Sequence, residues 1–93
     1  MTLARMSTSI LIADDHAVVR EGIRGLLRLD PRFLIVGEAG DGEAAAELAR
    51  EHAPDVVLLD LMMPGIGGVA ATRAIKAASP RSHIMILTSS NDD

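Results

Sequence analysis

The chain has 93 residues, 48% apolar and 24% charged, with thirteen acids against nine bases for a net charge of −4. That is one small globular domain and not a disordered segment. A mildly acidic chain with a single aromatic residue, Phe33, lacks the basic stripe and the stacking platform of nucleic-acid binders, so no direct nucleic-acid binding is expected of it. The absence of cysteine excludes disulfides, zinc–thiolate centres and thiol nucleophiles. Its runs of large apolar residues are far too short to span a bilayer, and Met1–Ser9 lacks the apolar core of a secretory signal. The expected location is the cytoplasm, with no membrane partner.

Four apolar runs punctuate the chain: Ile10–Ala13, Phe33–Val36, Val56–Leu59 and Ile84–Leu87. None alternates with polar residues, the pattern of strands buried on both faces of a parallel sheet. Helical periodicity fills the gaps. Val19, Ile23, Leu26 and Leu27 form one apolar stripe with Arg20, Glu21, Arg24 and Arg28 on the other faces, and Pro31 closes that segment. Asp41 is placed to cap a second helix over Gly42 to about His52, ahead of Pro54. A third helix is expected from about Gly68 to Ser79, turning Val69, Thr72 and Ile75 to the sheet. The order β-α-β-α-β-α-β implies parallel strands, right-handed crossovers and helices on both faces. After the fourth run, Thr88–Asp93 reads as a loop and the opening of a further helix.

Ligands of open α/β sheets bind beyond the carboxyl ends of the strands. Here the first strand ends in Asp14-Asp15 and the third in Asp60. An Asp after a strand is commonplace, and one alone says little. Three from two neighbouring strands would crowd like charges into one crevice, which a hard cation such as Mg2+ relieves. A carboxylate there can also accept a phosphoryl group. Thr88 can offer a hydroxyl to a phosphoryl oxygen, although such a residue also serves as an ordinary turn residue. His16 is read as a solvated residue at a helix start, and the methionines as core filler. Gly37, Gly40 and Gly42 do not have the spacing of nucleotide-binding loops. A haloacid-dehalogenase-like phosphatase would want an acid where Met62 stands.

Asp14-Asp15-His16, Val19-Arg20-Glu21-Gly22, Asp60-Leu61-Met62-Met63-Pro64 with Gly68, and Ile84–Thr88 together resemble the receiver domain of bacterial two-component response regulators. Asp14–Gly22 and Val36–Gly42 resemble the NarL/FixJ (LuxR-type) branch. The likeness covers residues 9–93, with 1–8 as an N-terminal extension. It implies a flavodoxin-like doubly wound parallel sheet of strand order 2-1-3-4, lacking the family's fifth strand and last two helices. It implies Asp60 as phosphoacceptor, Asp14, Asp15, Asp60 and the Met62 backbone carbonyl as Mg2+ ligands, and Thr88 as the switch hydroxyl. A sensor histidine kinase would be the phosphoryl donor, a homodimer is one expected assembly, and the output would be a transcriptional effector domain. Any catalysis would be limited to self-phosphorylation and dephosphorylation. The family's lysine has no counterpart after Thr88; the one lysine, Lys76, falls in the third helix. A phosphorylation-independent interaction module on the same fold is therefore the alternative. A fourth strand lying at the sheet edge would leave Ile84–Leu87 bare and expose apolar residues of strands 1, 3 and 4 on one face.

Overall fold

The computed structural model describes residues 7–87. In chain order the elements are β1 (Thr8–Ala13), α1 (Ala17–Leu27), β2 (Phe33–Ala39), α2 (Gly42–His52), β3 (Val56–Asp60), α3 (Gly68–Ala78) and β4 (His83–Leu87). The strands form one parallel sheet in the order β2-β1-β3-β4, as expected. Thr88 and the segment after it lie outside the described residues. No helix among the described residues is long and apolar enough to cross a membrane.

The central position of β1 explains its uninterrupted apolar run. Leu11 and Ala13 point into a core shared with Ala39, Val57, Leu59, Ala45, Ala49 and Ile75. Ile10 and Ile12 point to the other face and are buried there too. The parallel register sets Leu11 beside Val57 and Ala13 beside Leu59, so β1 and β3 end at the same edge. At the outer strands burial fades: Phe33 and Leu34 open β2 exposed, and Met85 and Ile86 of β4 are exposed as well. Of the exposure expected on strands 1, 3 and 4, that of β4 is seen at Met85, whereas Ile10 and Ile12 of β1 are buried and the apolar residues of β3 are buried or half-buried.

α1 attaches to the sheet largely through charge. Arg24 donates from Nε and Nη2 to the Glu38 carboxylate at 2.8 and 3.2 Å, and Arg20 Nε approaches the same group at 3.4 Å. Its apolar stripe is narrower than the periodicity suggests. Ile23 and Leu27 are half-buried, whereas Val19 and Leu26 remain exposed. Val19, Ile23 and Leu27 lie four apart on one face, of which only the last two are half-buried, and Leu26 lies beside that face. The helix ends at Leu27, before Pro31 is reached. Arg32 then donates from its side chain and backbone to Asp30, holding that carboxyl down to about 2.

α2 begins as expected: the Asp41 carboxylate accepts the Ala44 N–H at 2.8 Å. Its alanine face (Ala45, Ala46, Ala49) lets it lie close to the sheet and to α3. It stops at Ala53, which adopts φ 44° and ψ 58° while its N–H bonds to Ala49 O. That left-handed conformation normally falls to glycine.

α3 carries a correction. Ala71 and Ile75 face the core, while Val69 is 70% exposed and the half-buried Thr72 donates its hydroxyl to Gly68 O. The cause is the close seat of Gly68 on Leu61, where an added Cβ would lie 2.8 Å from Leu61 Cδ2. That contact sets the helix rotation and carries Val69 outward. The methionines also divide: Met63 is core, but Met62 and Met85 are exposed. Lys76 closes the amino-terminal edge of the sheet, donating to Pro80 O at 3.1 Å and Ser82 O at 2.7 Å.

Two outcomes follow for stability. Ala53→Gly should stabilise the fold by about 0.5–1 kcal/mol, relief of left-handed strain offset in part by a looser unfolded chain, as read in urea denaturation. Hydrogen bonding and charge from Arg24, with charge from Arg20, hold the Glu38 carboxyl below its ordinary value. Its pairing thus stabilises the fold fully above that ordinary value and is lost as pH falls through the lowered one. Glu38→Gln should be less stable than wild type at neutral pH, and the difference should close in acid.

Candidate metal centre

Three chain segments build one acidic pocket. β1 ends at Ala13, and Asp14 follows with its N–H bonded to Ala39 O. β3 ends on Asp60, one strand away. Asp15 and His16 make the turn into α1, with His16 in the extended N-cap position. Carboxylate oxygens of Asp14, Asp15 and Asp60 and a ring nitrogen of His16 all lie within 4.8 Å of one another. The three acids singled out in the sequence thus meet as expected.

Burial sharpens the electrostatics. Asp14 and Asp60, each 4% exposed, are the buried acids among the described residues, and they share this pocket. Carboxylates are rarely buried without partners, because desolvation opposes the charged form and a second charge adds repulsion. Each has one backbone N–H donor: His16 N–H reaches Asp14 Oδ1 at 2.8 Å, and Met62 N–H reaches Asp60 Oδ1 at 2.9 Å. Arg20 Nη1 donates to the Asp14 backbone carbonyl at 2.6 Å, so its charge lies near the acids without bonding their carboxylates.

The sequence reading sets His16 aside as solvated, and its side chain is 63% exposed. Yet Nδ1 lies 3.1 Å from both Asp14 Oδ1 and Asp15 Oδ1. The hydrogen bond to Asp14, then the charge of Asp15, raise the imidazole above its ordinary value. The ring is a cation-favouring group beside an acid cluster. A signal was available: His16 is two residues from Asp14, the distance at which an Asx turn folds back.

The donor set suits a small hard cation. Three carboxylates offer oxygens only, the ligand type of Mg2+, and two of them are held in place by backbone N–H groups. Met62 is 74% exposed, and its backbone is folded back on Asp60 through its N–H. Leu87 pairs with Asp60 across the sheet; the expected role of its neighbour Thr88 lies outside the described residues.

Comparison with known proteins agrees with this geometry. Residues 10–93 match the response regulator receiver domain. The chain belongs to that family. Transcriptional regulatory protein DegU of Brevibacillus brevis is 39% identical over 84 residues, which is 90% of this chain and 36% of that protein. The crystal structure of a LuxR-family two-component response regulator from Aurantimonas sp. SI85-9A1 matches with TM-score 0.83 and 41% identity, over 91% of this chain and 61% of that one. The isolated REC domain of RcsB from Salmonella enterica serovar Typhimurium, in the presence of phosphomimetic BeF3−, matches with TM-score 0.83 and 32% identity, over 92% of this chain and 64% of that one. The chain therefore spans little more than a third of the length of DegU. The flavodoxin-like receiver fold and the LuxR-type kinship are as the sequence suggests, and the receiver is the phosphoacceptor signalling module of response regulators.

Crowded acids in a receiver make a direct expectation. Asp15→Asn removes one charge from the cluster and should stabilise the metal-free protein, by on the order of 1 kcal/mol at this partly screened site. Millimolar Mg2+ should raise the urea midpoint of wild type and leave that of Asp15→Asn nearly unmoved.

Proposed function

We propose that this receiver takes a phosphoryl group on Asp60 with Mg2+ as its cofactor. The observation that carries the reading is the burial of Asp60 beside Asp14 and Asp15 at the carboxyl edge of a parallel sheet. Asp14, Asp15, Asp60 and the Met62 backbone carbonyl would hold the metal. Bound there, Mg2+ supplies positive charge for phosphoryl oxygens.

The chain's own residues do the rest by position. The Met62 N–H fixes Asp60 Oδ1, so the carboxylate keeps one orientation, and Oδ2 has no hydrogen-bond partner among the described residues. Phosphoryl transfer asks little covalent chemistry of the protein beyond in-line placement and charge. An Asp60 oxygen forms the new bond to phosphorus as the bond from phosphorus to the donor nitrogen breaks, and that nitrogen keeps the electron pair. The donor would be a phosphohistidine on a sensor histidine kinase. Thr88 would bond the phosphoryl oxygen and draw its segment toward Asp60. The conformational bias is bounded by contacts made in one state and not the other. The output would be transcriptional, through an effector domain of the kind its LuxR-family relatives suggest.

Incubation with Mg2+ and a small acyl phosphate should add one phosphoryl group, detected by intact mass and labile to hydroxylamine. Chelation should abolish it, and so should Asp60→Asn. Equal incorporation by wild type and Asp60→Asn would overturn the assignment.

A further inference from the structure

The orientation of Asp60 depends on the loop that follows it, and that loop rests on the first turn of α2. Met62, whose N–H holds Asp60 Oδ1, opens the segment from Leu61 to Gly67. Downstream, Gly65 and Gly67 take φ 101° and 90°, turning the chain so that Ile66 reaches back toward α2. There it meets Gly42. A Cβ added at Gly42 would lie 3.0 Å from Ile66 Cγ1, 3.2 Å from Ile66 Cδ1 and 3.0 Å from Ala71 Cβ. Beside it, Glu43 Oε1 would lie 3.3 Å from a Cβ added at Gly65. Two consecutive residues of α2 therefore bear on two residues of the loop. Next to this contact, Gly42, Asp60, Met63, Gly68 and Ala71 line a small void too narrow for water.

We infer that Gly42 is a positioning residue for Asp60: its missing side chain is the space into which Ile66 docks, and that docking holds the loop where the Met62 N–H meets the carboxylate. Gly42 touches no reacting atom. It opens a helix in an ordinary right-handed element, so backbone freedom does not account for a glycine here. Lack of volume does: a Cβ there would sit tighter than nearly all side-chain contacts, so Ile66 or Ala71 would have to give way by a few tenths of an ångström. Asp41 caps the helix with its side chain whatever follows, so the cap does not require the glycine either. The inference rests on the proposed role of Asp60 for its functional meaning, but its structural content is separate.

Two variants test it from opposite sides. Gly42→Ala pushes Ile66 out, and Ile66→Ala removes the docked side chain without adding volume. In each, amide exchange at Met62 should accelerate, read by NMR, while the amides of Leu11 and Ile75 keep their wild-type protection and report the intact fold. Mg2+ affinity, from the chemical-shift titration of the same samples, should weaken by about tenfold, the scale seen when an outer support of a metal site is lost. Wild-type Met62 exchange and wild-type Mg2+ affinity in either folded variant would overturn the inference. Should Gly42→Ala fail to fold, Ile66→Ala decides alone. Absence of Mg2+ binding by wild type would refute the metal reading, and Met62 exchange in the variants would still decide the role of Gly42.

Discussion

Everything at the carboxyl edge of this sheet answers to one constraint: two aspartates are buried side by side. Asp14 and Asp60 end or follow neighbouring parallel strands, and the register brings β1 and β3 to a common edge. Burial denies them water, and proximity sets their charges against each other. The protein answers with small compensations. Each carboxylate has one backbone N–H, and His16 leans its ring nitrogen into the cluster. None of these is a full countercharge fixed on the acids, because Arg20 is turned to a carbonyl and to Glu38. The site is left short of positive charge, and the oxygen-only donor set of its three carboxylates is of the kind a hard divalent cation takes.

The opposite edge of the sheet has no such conflict. Ser9 N–H and Oγ–H bond Asp55 Oδ2, and Asp55 N–H returns a bond to Ser9 Oγ, joining the starts of β1 and β3. Ser82 donates to Pro54 O and shares a 2.6 Å hydrogen bond with Ser79, both serines being buried. Lys76 ties the end of α3 to the turn before β4. Among the described residues, no side-chain nitrogen or oxygen fully shut off from solvent lacks a partner, and both Ser79 and Ser82 have one. The amino edge is thus a satisfied network that holds the strands in register, while the carboxyl edge stores repulsion between charges.

What could be read from the sequence follows this division. Strand runs, the Asp41 cap and the acid positions depend on local composition and on chain order, so they were legible. The rotation of α3 was not, because it is decided by contact between Gly68 and Leu61, and periodicity alone favoured Val69 over Ala71. Leu26 misled for a similar reason: apolarity marks a candidate face, but the width of the sheet beneath decides how much of it is covered. Met62 and Met85 look like core residues by type and are not, since one sits in the loop after Asp60 and the other on an outer strand. His16 was undervalued because its role is relational. Only the turn that places Asp14 and Asp15 around its ring distinguishes it from any exposed histidine.

The division also bears on how a receiver can switch without losing its fold. A change of charge at Asp60 acts where the compensations are single hydrogen bonds and a partly exposed imidazole, so small rearrangements there are inexpensive. The segments that carry those compensations are the Asp15–His16 turn and the loop from Leu61 to Gly67, neither of which belongs to a strand or a helix. The core residues behind them, Leu11, Val57, Leu59 and Ile75, are fully buried and packed together. A densely packed interior resists graded deformation, so added charge at the edge is relieved by moving loops and not by reshaping the sheet. The β3–α3 loop is tied directly to Asp60, through the Met62 N–H. Ile66 of that loop lies against Gly42, which sets the start of α2 beside it.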